Sequence, residues 1–130
     1  FAVSGINVGL FCSTPAVALS RNVPRKRAME MLLTGDFISA DTASEWGLIN
    51  RVAEEGELDS AVASLTASIG GKSAVAVRTG KAMFARQLAM PLEEAYAFAG
   101  DTMACNMLAD DVAEGIDAFI EKRAPRWQHR

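Results

Sequence analysis

Residues that support metal, disulfide or histidine chemistry are scarce in this chain. It has two cysteines and one histidine among 130 residues, and they do not show metal-ligand spacing. Cys12 and Cys105 lie in apolar surroundings, so we expect reduced core thiols in a reducing compartment and no disulfide framework. His129 stands next to the last residue, where we expect a solvated, frayed tail. The sequence therefore predicts no metal site.

The sequence also lacks a strong excess of one charge and any long apolar run. Its net charge is −3, and the basic residues are dispersed except for Arg25–Arg27 and the C-terminal tail. That distribution does not favour a nucleic-acid surface. No apolar run approaches the roughly 20 residues that a membrane span needs. We expect a chain with an ordinary core and with no nucleic-acid or membrane partner.

Apolar spacing and capping residues predict a mostly helical chain. Leu58, Val62, Leu65 and Ile69 recur at helical intervals, and two glycines follow them. Thr14 is predicted to cap a helix whose first residue is proline. Ser39 and Ser73 are predicted to cap two further helices, and Gly47 to end the first of these two in a left-handed conformation. The predicted helices have the approximate bounds 15–20, 24–33, 40–46, 58–69, 74–88 and 91–108.

Strand character is confined to the front of the chain. Phe1–Val3 and Ile6–Val8 favour β structure on either side of a Ser-Gly pair, which predicts a strand with a tight bend. Residues 48–52 are predicted to form a further short extended segment. The chain begins without methionine and directly in this strand-like segment, so we expect it to be part of a longer protein.

The last helical pattern covers residues 110–125 and is the most informative one. Asp111 is predicted to cap this helix, and Glu114, three residues later, to close a capping box. Lys122 and Arg123 are predicted in the last turn, where cations suit the helix dipole. The apolar positions that share one face are Ile116, Phe119 and Ile120.

This segment, EGI-x-AF-x-EKR-x-P, closely resembles the C-terminal signature of the enoyl-CoA hydratase/isomerase (crotonase) family. Residues 1–18, 29–40 and 45–52 resemble further stretches of the family in the same order. Asn7–Pro15 is similar to the type 3 subgroup of enoyl-CoA hydratase domain-containing proteins. The resemblance implies an α/β crotonase-like fold, a ββα spiral. This chain would be its C-terminal, mostly α-helical portion with a short strand remnant.

The resemblance divides the chain at residue 52 and implies its activity. Residues 1–52 would end the spiral core, and residues 53–130 would form a helical oligomerisation region. The activity implied is reversible hydration of 2-enoyl-CoA in fatty-acid metabolism, by a homo-oligomer (trimer or hexamer). Coenzyme A is part of the acyl-CoA substrate, so no separate cofactor is expected. The compartment implied is the cytoplasm for a bacterial protein and the mitochondrion for a eukaryotic one.

Gly5 stands where hydratases of the family carry a glutamate that handles the proton of the substrate α-carbon. Glycine has no titratable group and cannot perform acid–base catalysis. Two interpretations stay open from the sequence: Gly5 permits a bend, or the catalytic acid is lost. Ser4 and Asn7 are the nearest polar neighbours, and neither transfers protons near neutral pH, although either could position a water.

The resemblance also implies where coenzyme A binds. Phe119 and Lys122 would flank its nucleotide near a subunit boundary, with Lys122 as a point charge for phosphate. Met103 is a candidate for an adaptable acyl pocket, although a helical methionine is more often a core residue. The oxyanion-hole donors would lie before residue 1, so these residues alone would form an incomplete enzyme.

Two other functions remain open at this point. The protein could be a non-catalytic acyl-CoA-binding homologue that kept the fold and lost the acid at Gly5. It could also catalyse another reaction of the family, such as double-bond isomerisation or thioester hydrolysis, with acids placed elsewhere.

Overall fold

A computed structural model describes all residues from Phe1 to Arg130. The chain divides into two compact units, Phe1–Leu58 and Asp59–Arg130. It contains no β-strand, and none of its helices is long and apolar enough to cross a membrane. After a 3-10 helix at Ser4–Val8, the α-helices are α1 (Ser13–Asn22), α2 (Arg25–Thr34), α3 (Ala40–Glu45), α4 (Leu58–Gly70), α5 (Ala74–Gln87), α6 (Leu92–Asn106) and α7 (Asp110–Glu121).

The first unit has a small buried core at the junction of α1 and α2. Val23 separates the two helices in an extended conformation, because a residue before proline is biased away from the helical region. Pro24 then acts as the N-cap of α2. The buried side chains of the core are Leu19, Val23, Ala28, Met31 and Leu32. The partly buried ones packed on it are Val3, Cys12, Ala16, Ile38, Trp46 and Leu48.

Local capping signals place both ends of α3 as predicted. The Ser39 side chain accepts a hydrogen bond of 3.1 Å from the Thr42 amide at the start of α3. Gly47, just beyond α3, is left-handed with φ +79°, as predicted. The start of α1 differs: the helix begins at Ser13 with Cys12 as its N-cap, so the prediction of Thr14 as the cap is wrong.

The predicted strand remnant at the front is wrong, because residues 4–8 form a 3-10 helix. Phe1 and Ile38 exchange two backbone hydrogen bonds, of 2.8 and 2.9 Å, as one antiparallel residue pair would. The pairing extends no further. Residues 48–52 also form no strand, since the Leu48 amide donates to the carbonyl of Ala43 at 2.8 Å instead.

The second unit consists of α4 to α7. The bounds of α4, α5 and α6 match the helices predicted for residues 58–108 within two residues. Helices α5 and α6 pack against each other, and the Arg86 guanidinium lies 4.4 Å from the Phe98 ring. Buried residues are few in this unit: Ser73, Asp111 and Ala118. Cys105 is exposed, so its predicted place in a core is wrong. Large exposed apolar side chains are Val62, Ile69, Phe84, Leu88, Leu92, Tyr96, Met103, Met107, Leu108, Ile116, Phe119 and Ile120.

Candidate functional site

Gly5 lies in the 3-10 helix, just before a sharp reversal of the chain. The Gly5 carbonyl accepts a 3.0 Å hydrogen bond from the Leu10 amide. Gly9 supplies the reversal with φ +78°, a conformation that favours glycine. This reversal brings Leu10 and Cys12 beside Gly5. A β carbon on Gly5 would stand 2.7 Å from the Leu10 carbonyl oxygen and 2.5 Å from the Cys12 sulfur.

These distances explain why glycine fits at position 5. Gly5 does not have a positive φ, so its own backbone conformation does not require glycine; the bend is made by Gly9. Real β carbons essentially never come within 3.0 Å of an atom outside their own residue and its two chain neighbours. With the loop on this path, the Leu10 carbonyl and the Cys12 sulfur occupy the space into which any side chain at position 5 would start. An acidic side chain therefore has no room there.

The polar neighbours of Gly5 provide no replacement acid. Ser4 and Asn7 are exposed, and neither side chain forms a hydrogen bond. The Asn7 amide packs against buried Gly35, whose added β carbon would stand 2.8 Å from the Asn7 side-chain nitrogen. Residues 1–18 contain no carboxylate and no imidazole.

Phe119 and Lys122 lie together at the C-terminal end of α7. The helix ends at Glu121, and Lys122 follows as a C-cap with φ +55°. The predicted placement of Lys122 and Arg123 in the last turn is therefore wrong: both follow the helix. The Lys122 amide donates to the Phe119 carbonyl at 3.3 Å, which helps to hold this uncommon backbone conformation. Phe119 is 85% exposed, and Lys122 forms no ion pair.

Phe119 also lines an apolar cavity of about 630 Å³ formed by α5, α7 and the C-terminal tail. Val75, Ile116 and Trp127 contribute to its wall. One polar atom beside it, the side-chain oxygen of Asn106, is buried without a hydrogen-bond partner. Met103 lies on α6, is 69% exposed and does not line this cavity. The structure thus brings Phe119 and Lys122 to one helix end, but of these two only Phe119 lines the cavity, and Met103 does not line it either.

Asp111 has a buried carboxylate, and the role predicted for it from the sequence pattern is wrong. The N-cap of α7 is Ala109, so the predicted capping role of Asp111 is wrong. Asp111 is 3% exposed and accepts hydrogen bonds from the Ser73 hydroxyl at 2.5 Å and from the Gln128 amide at 2.6 Å. The His129 amide donates to both of its oxygens. Burial raises the pKa of Asp111, but these hydrogen bonds outweigh burial and hold it below its usual value.

Glu114 anchors the segment that follows α7, and the predicted capping box is therefore wrong. The Arg123 guanidinium donates to both carboxylate oxygens, at 2.6 and 3.0 Å, and the Arg126 amide donates at 2.6 Å. These hydrogen bonds lower the pKa of Glu114 to about 2. Arg123 also bonds Glu121, and both carboxylates raise its pKa. The tail is therefore fixed by charged hydrogen bonds along one side of α7.

The end of the chain is held rather than frayed, contrary to the prediction for His129. The Trp127 indole donates to the Gly71 carbonyl at 2.8 Å. His129 is exposed, as predicted, but its ring nitrogen Nδ1 accepts the Ala74 amide at 3.2 Å. The first contact joins the tail to the turn after α4, and the second joins it to the start of α5. Trp127 was the signal available in the sequence, because an indole combines a large apolar ring with an N–H that usually finds a hydrogen-bond partner when buried.

Comparison with known proteins decides the family. The model of the enoyl-CoA hydratase/isomerase family matches residues 1–130, the whole chain. This chain belongs to the enoyl-CoA hydratase/isomerase family. It is 50% identical over 129 residues to mouse mitochondrial enoyl-CoA hydratase domain-containing protein 3, covering 99% of this chain and 43% of that protein. The resemblance to the type 3 subgroup is thereby confirmed.

Solved structures of the family show the same fold. A Mycobacterium smegmatis enoyl-CoA hydratase is 57% identical with a TM-score of 0.94, over 98% of this chain and 49% of that one. Human enoyl-CoA hydratase domain-containing protein 3 is 47% identical with a TM-score of 0.92, over 98% of this chain and 50% of that one. The crotonase-like fold is confirmed, and this chain corresponds to the C-terminal helical portion of that fold. The chain spans about half the length of these family members.

Proposed function

We propose that the whole protein binds acyl-CoA thioesters but hydrates 2-enoyl-CoA slowly or not at all. Membership of the enoyl-CoA hydratase/isomerase family along all of residues 1–130 supports the acyl-CoA part. The close approach of Leu10 and Cys12 to Gly5 supports the catalytic part, and this observation carries the proposal.

Hydration requires a base to activate water and an acid to protonate the α-carbon. The family resemblance assigns that proton to a glutamate at position 5, where this chain has Gly5. Loss of a positioned proton-transfer group typically costs about 10²–10⁴ in rate. The local fold itself excludes a glutamate at position 5, because the side chain would collide with the Leu10 carbonyl. A single Gly5→Glu substitution therefore does not supply the missing acid.

The end of α7 supports binding of coenzyme A. Lys122 is exposed and without a carboxylate partner, so it is available to an anionic phosphate group. Phe119 offers an exposed ring one turn earlier, next to an apolar cavity. In this proposal Lys122 supplies charge and Phe119 supplies contact for the nucleotide end of the thioester.

The helical unit supports a trimer or a hexamer. Helices α4, α5 and α6 contain no fully buried residue, although their faces carry large apolar side chains such as Phe84, Leu92 and Tyr96. Soluble monomers rarely leave so much apolar surface in contact with water. Burial of these faces against other copies would remove that cost. The proposed compartment is the mitochondrion if the protein is eukaryotic and the cytoplasm if it is bacterial.

The proposal is tested by measuring binding and turnover on the same intact protein. We expect a short 2-enoyl-CoA to bind, and its hydration to proceed well below the roughly 10 per second that is typical of enzymes. Gly5→Glu should not restore activity. Hydration at an ordinary enzymatic rate would contradict the proposal and would show that another residue supplies the proton. Failure to bind acyl-CoA would contradict its first part.

A further inference from the structure

We propose that a cleft beside the start of α5 binds the phosphate group of a small phosphorylated ligand. The cleft has a volume of about 400 Å³ and is formed by the end of α4, the first half of α5 and the C-terminal tail. Three of its eight lining residues are cationic and none is acidic. The cations are Lys72, Arg78 and Lys81, and His129 also lines the cleft.

These cations are not neutralised by the protein itself. Acidic residues outnumber basic ones in the chain by 16 to 13, and Arg27, Arg123 and Arg130 all form ion pairs with carboxylates. Lys72, Arg78 and Lys81 form none. Like charges gathered around one concave surface repel each other, and a bound anion would relieve that repulsion.

His129 is fixed at the edge of the cleft as a hydrogen-bond donor. Its backbone has φ +63°, which is uncommon for a residue with a side chain, and its amide is held by both oxygens of buried Asp111. Ring nitrogen Nδ1 accepts the Ala74 amide, so the neutral ring carries its proton on Nε2. That proton is therefore available to an acceptor.

A phosphate monoester fits this combination of groups. It carries up to two negative charges and several acceptor oxygens, which matches three cations and one ring N–H. The N-terminus of α5, a helix of 14 residues, adds partial positive charge on the same side. Ile69 and Val77 form an apolar part of the wall, which suits an aromatic or aliphatic body attached to the phosphate. This inference does not depend on the proposed acyl-CoA chemistry.

The test is a titration of the intact protein with phenyl phosphate at low ionic strength. Binding is measured by calorimetry and by the chemical shifts of the backbone amides. Arg78→Gln and Lys81→Gln should each weaken binding about tenfold, because each removes one charged contact to phosphate. Lys26→Gln is the matched control: it removes an exposed cation from α2 that does not line the cleft. His129→Gly removes the ring but tolerates the left-handed backbone, and it should also weaken binding.

A competition experiment then identifies which kind of molecule carries the phosphate group that binds in the cleft. Competition by coenzyme A but not by dephospho-coenzyme A would assign the cleft to the phosphate monoester of coenzyme A. Absence of competition by either would assign it to a separate phosphorylated metabolite. Both outcomes support the phosphate site. No binding of phenyl phosphate at millimolar concentrations, or equal affinity in the cleft variants and in Lys26→Gln, would overturn it.

Discussion

Replacement of Gly5 by alanine tests whether the space beside it is filled. The new β carbon would lie 2.7 Å from the Leu10 carbonyl oxygen and 2.5 Å from the Cys12 sulfur, so the loop must move. Overpacking of this kind costs about 1–3 kcal/mol. Reduced freedom of the unfolded chain offsets about 0.4–1 kcal/mol of that cost. We therefore expect Gly5→Ala to lower the free energy of unfolding by about 1–2 kcal/mol.

The assay is thermal unfolding, and two helical glycines provide the control. A chain of this size loses about 4 °C in Tm per kcal/mol, so Gly5→Ala should lower Tm by about 4–8 °C. A β carbon at Gly80 or Gly100 meets no atom within 4 Å. Because alanine is the better helix former by about 1 kcal/mol, Gly80→Ala and Gly100→Ala should raise Tm slightly. If Gly5→Ala were as stable as these controls, the argument that position 5 has no room would be refuted.

Three further predictions concern α7 and the tail. Folding lowers the pKa of Glu114 to about 2, so its stabilising effect is complete above about pH 5 and is lost as the pH falls toward 2. In Glu114→Gln, Tm should therefore depend less on pH over that range. Glu30 is not part of such a network, so Glu30→Gln should keep the original pH dependence of Tm. The same pH dependence of Tm in both variants would contradict this prediction. Asp111→Asn should release the tail, seen as faster hydrogen exchange at the amides of residues 128 and 129. Lys122→Gln should weaken coenzyme A binding more at low than at high salt, since the contact is Coulombic, and unchanged low-salt affinity would exclude it.

Features set by neighbouring residues were predictable from the sequence. Ser73 precedes α5 as its N-cap and accepts the Ala76 amide, as predicted from its position before an apolar segment. The bounds of α4 followed in the same way from the spacing of leucine, valine and isoleucine between Leu58 and Ile69. These signals depend on contacts within one helical turn, so no knowledge of the rest of the chain was needed.

Features that depend on distant partners were not predictable. The first residues have β-favouring side chains, yet a strand requires a partner for its backbone, and Phe1 finds one only at Ile38. Asp111 matched a local capping pattern, but its partners lie 38 residues earlier at Ser73 and 17 residues later at Gln128. For Gly5, the sequence located the position, whereas the reason for glycine there required the path of Leu10.

The most direct test of the central claim is exchange of the α-proton of a saturated acyl-CoA in D₂O, followed by NMR on the intact protein under saturating conditions. This measurement isolates the proton transfer that position 5 would perform, independently of water addition. With Gly5 in place, we predict exchange no faster than in the enzyme-free solution while the thioester is bound. Protein-dependent exchange at a catalytic rate would contradict the account, because it would require a proton-transfer group that acts on the α-carbon without a side chain at position 5.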